Sequence, residues 1–138
     1  MGASISLPTW WRSLGSRYRL ELGRCPECGA YNFPPEGACK ECNALPEYEV
    51  VEAAGTGTVA AKTIIQGGAP PEFAGLLARQ GSIGVVVVDL EEGARVPGML
   101  TDVDPESVEH GDEVEAVVRR LYTQEGVPRY GFKFRPTR

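Results

Sequence analysis

A mainly β chain, in which a small stapled module precedes a compact barrel, is what the 138 residues predict. Three observations predict it. All four cysteines lie between positions 25 and 42, so cysteine is used locally. From Gly55 onward, short β-branched or alternating runs follow one another with turn residues between them. A single helical-turn signal then separates the third of these runs from the fourth.

The N-terminal segment reads as an amphipathic helix. Between Leu7 and Leu20 the apolar residues Leu7, Trp10, Trp11, Leu14 and Tyr18 recur at helical spacing, with Arg12, Ser16 and Arg19 elsewhere on the wheel. Pro8 and Thr9 stand at its start, as first-turn and cap chemistry requires. The segment is assigned to 1–22.

Next come Cys25-Pro-Glu-Cys28-Gly29 and Cys39-Lys-Glu-Cys42-Asn43, two Cys-x-x-Cys knuckles separated by ten residues that include the β-like stretch Ala30 to Pro35. Each knuckle turns two sulfurs toward one point, and four thiolates close a tetrahedral Zn²⁺ shell with no position left for water. Such a site folds a segment too small for a core of its own, and it performs no hydrolysis. Two disulfides would need an oxidising compartment. A thioredoxin-like redox pair would need a βαβ pattern around one of the motifs. Iron on the same sulfurs remains an alternative metal. Residues 23–48 are assigned to this zinc ribbon.

The barrel is assigned to 49–138. Its expected strands are Gly55 to Ile65, Ile83 to Leu90, Arg95 to Asp102, Glu113 to Tyr122 and Arg129 to Phe134. A long Gly- and Pro-rich loop from Gly67 to Gln80, with a short helix around Glu72 to Ala78, joins the first two. Asp104 caps a helical turn that begins at Pro105 and is expected to end at Gly111. Five strands with a helical turn between the third and fourth form the OB-fold arrangement.

Composition sets limits on function. The net charge of −5 argues against bulk attraction to phosphate backbones. No apolar run approaches the ~20 residues that span a bilayer, and no leader pattern opens the chain, so a cytoplasmic protein is expected. His110 is the single histidine and sits beside Gly111 in a turn, so no nucleophile, histidine and carboxylate set can be assembled. Asp102, Asp104, Glu106 and Glu109 lack calcium-loop spacing and read as a solvated face. Trp10 and Trp11 are either core residues or, beside Arg12 and Arg17, anchors for a partner protein.

Taken in order, Trp11-Arg12, Arg17-Tyr18-Arg19-Leu20, Gly23 to Gly29, Phe33-Pro34-Pro35 and Cys39 to Cys42 resemble the zinc-ribbon plus OB-fold family of acyl-CoA-associated proteins. The resemblance continues through Gly55 to Val59, Val87 to Gly93 and Tyr130 to Pro136, and so covers nearly the whole chain. It implies one structural Zn²⁺ and no catalytic residue. It implies a scaffold subunit bound to a thiolase (acetyl-CoA acetyltransferase) and a 3-hydroxy-3-methylglutaryl-CoA synthase, as in archaeal members, with contact to CoA held by those enzymes. Trp10, Trp11, Arg12, Arg17, Tyr18 and Arg19 are the partner-facing residues expected from aromatic content and from this likeness. Glu36, where relatives commonly carry a basic residue after the Pro-Pro pair, departs from the pattern. The competing expectation is a single-strand nucleic-acid module using Tyr122, Arg129, Tyr130, Phe132, Lys133 and Arg135.

Overall fold

The computed structural model describes residues 19–124 and 126–137. The expected helix therefore lies outside the described residues except at its end, and there the structure corrects it. Arg19 is a bend, Leu20 is irregular and a strand begins at Glu21. The reason is periodicity: Leu20 and Leu22 are buried on either side of half-exposed Glu21, a two-residue repeat in place of a helical one. The Leu20 carbonyl also accepts from the Ala53 amide at 2.8 Å, a bond to a distant strand segment.

Strands β1 (Glu21–Arg24), β2 (Tyr31–Asn32) and β3 (Glu49–Glu52) form an antiparallel sheet in the order β2-β1-β3. Residues 21–22 and 49–52, expected on the far sides of the segment boundaries, thus belong to the ribbon sheet. The barrel strands are β4 (Thr56–Ile65), β5 (Ile83–Leu90), β6 (Arg95–Met99), β7 (Glu113–Gln124) and β8 (Val127–Pro136), in the order β6-β5-β4-β7-β8. Closure comes from a parallel bridge between Leu100 and Phe134, where the Thr101 amide donates to the Phe134 carbonyl at 2.8 Å. This is the OB-fold topology.

The third barrel strand stops at Met99, short of the expected Asp102. Its pairing to β5 ends at Val85↔Met99, and the chain then crosses to β8. A 3₁₀ turn, Pro71–Phe73, leads into helix α1 (Ala74–Gln80), which ends on left-handed Gly81 (φ 77°). A second 3₁₀ turn, Pro105–Ser107, is capped by Asp104, whose carboxylate accepts from the Glu106 amide. It ends at Val108 rather than Gly111, because Val108 is fully buried and pulls the chain into the core. Lys62 on β4 fastens this turn, donating to the Pro105 and Val108 carbonyls at 2.9 and 2.7 Å.

One apolar cluster runs through both parts. Leu20 and Leu22 of the ribbon pack with Val59, Val86, Val88, Val96, Val114 and Phe134 of the barrel. The ring of Phe134 leaves no space at Gly98, where a Cβ would lie 2.7 Å from it. Among the described residues no helix is long and apolar enough to cross a membrane.

Candidate metal centre and barrel surface

The two knuckles have the same backbone. In the first, the Cys25 amide donates to the Ala30 carbonyl and the Gly29 amide to the Cys25 carbonyl, both at 2.8 Å. In the second, the Cys39 amide donates to Ala44 and the Asn43 amide to Cys39, at 2.8 and 2.9 Å. Each loop turns on a left-handed residue in the equivalent place, Gly29 (φ 78°) and Asn43 (φ 59°), the residue types that tolerate it best. This duplication aims four sulfurs at one point.

The Sγ atoms of Cys25, Cys28, Cys39 and Cys42 all lie within 4.8 Å of one another. Cys25 Sγ is 3.7 Å from Cys42 Sγ, and Cys28 Sγ is 3.6 Å from Cys39 Sγ. Tetrahedral zinc with Zn–S near 2.3 Å requires sulfurs about 3.8 Å apart, so the donor set fits the ion. The same separations are far too long for a disulfide bond. Cys25 and Cys39 are buried while Cys28 and Cys42 are exposed.

Electrostatics distinguish the sulfurs. The backbone amides of Cys42 and Glu41 draw the Cys39 thiol down to about 6, helped by the side-chain amide of Asn32. At Cys28 the Ala30 amide pulls the same way, but partial loss of water around the exposed sulfur and the three neighbouring sulfurs outweigh it and push the thiol up to about 12. Four thiolates this close repel one another unless a cation sits among them. Zinc supplies that charge when bound and displaces the remaining protons.

Elsewhere the described residues carry two charged clusters. Asp102, itself left-handed (φ 60°), accepts from Arg119 at 2.7 Å and lies 3.5 Å from Arg135, which also bonds Glu115 at 2.9 Å. Donation from Arg119, then from Thr101, holds the Asp102 carboxyl down at about 2. Arg79 and Arg120 line a cavity of about 160 Å³ beside α1, together with Glu72 and Tyr122. Lys133 is 4 % exposed, and burial followed by repulsion from Arg120 and Arg79 lowers its pKa. Leu121 separates this cavity from an apolar one of about 350 Å³ lined by Val85, Pro97, Met99 and Phe132.

Of the expected site residues, the structure brings the four cysteines together. Trp10, Trp11, Arg12, Arg17 and Tyr18 lie outside the described residues, and Arg19 is exposed where the chain enters β1. The residues proposed for a nucleic-acid face do not share one. Arg129 and Lys133 are buried, Arg135 is held by two carboxylates, Tyr122 packs edge-on against Phe73, and Tyr130 alone of the set is a well-exposed aromatic. His110 is an exposed turn residue, as expected. Asn32 was missed; its signal was a polar residue inside the aromatic run Tyr31 to Phe33.

The fold and the four sulfurs define a protein built from a rubredoxin-like zinc ribbon and an OB-fold barrel. The family models for these same parts match, the "ChsH2, rubredoxin-like zinc ribbon domain" over residues 12–49 and the "ChsH2, C-terminal OB-fold domain" over residues 50–119. The chain belongs to this ChsH2-type zinc-ribbon and OB-fold family. It is 37 % identical over 128 residues to a DUF35 domain-containing scaffold protein of Methanocaldococcus jannaschii, covering 91 % of this chain and 87 % of the relative. A protein of the same description from Methanothermobacter thermautotrophicus is 38 % identical, with 91 % and 92 % covered. Among solved structures, a chain of the Ltp2-ChsH2(DUF35) aldolase superposes with a TM-score of 0.66 at 26 % identity, covering 99 % of this chain and all of that one.

Proposed function

We propose that the chain is a non-catalytic scaffold subunit that binds a thiolase and a 3-hydroxy-3-methylglutaryl-CoA synthase in the cytoplasm and aids transfer of acetoacetyl-CoA between them. The observation that carries the reading is the near-full-length match to relatives described as scaffold proteins. The likeness to a chain of an aldolase assembly supports an enzyme as partner. The closed thiolate shell adds a physical argument, since a metal with four protein ligands braces a surface and activates no water.

In this reading the segment containing Trp10, Trp11, Arg12, Arg17, Tyr18 and Arg19 docks on the thiolase, large aromatics and arginines being the residue types that anchor interfaces. Arg79 and Arg120, which line the cavity beside α1, offer positive charge to phosphates of CoA held by the partners. Handing acetoacetyl-CoA directly to the synthase draws an uphill condensation forward.

An isotope-dilution experiment tests this. Thiolase and synthase are given labelled acetyl-CoA in a pool of unlabelled acetoacetyl-CoA, with and without the chain. Label should reach the acetoacetyl-derived carbons of the synthase product undiluted only when the chain is present. Equal dilution in both reactions would contradict the transfer role.

A further inference from the structure

Between the knuckles, one side chain touches both. Asn32 on β2 is 3 % exposed, and its amide makes three contacts. Its Nδ2 group donates to Cys39 Sγ and to the Ala30 carbonyl, each at 3.4 Å, and its Oδ1 accepts the Lys40 amide at 3.0 Å. The orientation is set by chemistry. The Lys40 amide can only donate, while the Ala30 carbonyl and the sulfur accept, so a flipped side chain would oppose all three partners. Lys40 returns a second strap, its Nζ donating to the Phe33 carbonyl at 3.3 Å. Residues 32 and 33 thereby grip residues 39 and 40.

Four thiolates on Zn²⁺ leave two net negative charges, and Cys39 holds its share with no access to water. Glu27, Glu36 and Glu41 outnumber Arg24 and Lys40 in the same knuckle segment, so the surrounding side-chain charges do not by themselves relieve that charge. N–H donors must do so.

We propose that Asn32 is a positioning residue of the metal centre, whose amide donates to the Cys39 thiolate and fixes the second knuckle against the first, slowing release of the ion. The proposal rests on the four-thiolate zinc reading. Outer groups of this kind typically alter metal affinity roughly 10- to 100-fold.

Two substitutions separate donation to sulfur from mere packing. Asn32→Asp keeps an acceptor for the Lys40 amide but sets a carboxylate oxygen against the sulfur and the Ala30 carbonyl, whereas Asn32→Leu removes all three bonds. Zinc transfer to a chromogenic chelator should be roughly 10- to 100-fold faster for both variants. An Asp variant that releases zinc at the wild-type rate would overturn the proposal. A measurement on the unaltered chain holds even if the variants fail to fold. After substitution with ¹¹³Cd, a through-hydrogen-bond coupling should link the metal to the Asn32 side-chain amide protons, alongside couplings to backbone amides. Backbone couplings without the Asn32 one would sink this inference and leave the metal site standing; failure to bind cadmium at all would remove both.

Discussion

Replacing Cys39 with serine tests what the metal does for the fold. Between residues 25 and 46 the fully buried side chains are Cys25, Asn32 and Cys39, and the apolar contacts are those of half-buried Tyr31 and Phe33, so the knuckles have little core beyond their own ligands. Ordering a segment of about 20 residues costs on the order of 20 kcal/mol of backbone entropy, at about 1 kcal/mol each. Structural zinc supplies about 10–16 kcal/mol in small modules, and the four knuckle hydrogen bonds add about 1 kcal/mol apiece. The two sides balance only with the metal. Cys39→Ser should therefore lose about one zinc per chain and open the knuckles. The amides of Cys25, Gly29, residue 39 and Asn43, which are hydrogen-bonded in the native loops, should then exchange freely. The barrel amides of β5, carrying Val86 and Val88, should stay protected because Val59, Val96, Val114 and Phe134 cover them without help from the knuckles. Elemental analysis and amide exchange read both effects. Full zinc content with unchanged protection of the knuckle amides would refute the reasoning.

Three further outcomes follow from the barrel. A Cβ at Gly57 would lie 2.4 Å from the Asp89 carbonyl oxygen and 2.7 Å from Val88, so Gly57→Ala should cost about 3 kcal/mol in urea unfolding; an unchanged midpoint would mean β4 and β5 are further apart. Lys62→Met leaves the Pro105 and Val108 carbonyls without their ammonium and should cost about 2 kcal/mol, with faster exchange at the Val108 amide; retained stability would place other donors there. Asp102 is held below its ordinary value by Arg119, so its contribution is present above about pH 4 and lost as pH falls through about 2. Because the pair is well exposed the effect should be under about 1 kcal/mol. Asp102→Asn should abolish that part of the acid dependence, and an identical acid profile for the two chains would show the ion pair to be without consequence.

The barrel was legible in the sequence because Gly55 to Ile65 alternates and is β-branched, and Ile83 to Leu90 is an apolar run of buried-strand length. Ile83 to Leu90 was delimited as it stands, with Val86, Val88 and Leu90 pointing inward. The metal site was legible because Cys-x-x-Cys spacing dictates the local turn. Boundaries were harder to read where a tertiary contact decides them. Leu20 closes the segment expected to be helical but stands outside the stripe of Leu7 to Tyr18, and the Ala53 amide bonded to its carbonyl belongs to an extended chain. Likewise nothing near Asp102 in sequence announces that β6 must leave β5 to reach Phe134. The burial of Lys133 escaped notice for a related reason: alternating aromatic and basic residues on β8 look like one wet and one dry face, yet here both are partly covered. Asn32 combines the two cases, a polar residue whose role exists only once the knuckles meet.

The central claim is that this chain binds an acyl-CoA condensing enzyme and does no chemistry alone. It is tested most directly by co-expressing the full chain with a thiolase and synthase from the same source and purifying through a tag on this chain. Mass is then measured by light scattering, zinc is quantified, and thiolase and synthase turnover are assayed for the chain alone and for the complex. The account predicts a stable assembly containing the thiolase, one zinc per copy of this chain, and turnover only where the enzymes are present. A chain that elutes alone at its own 14.9 kDa, or that turns over acyl-CoA unaided, would contradict it.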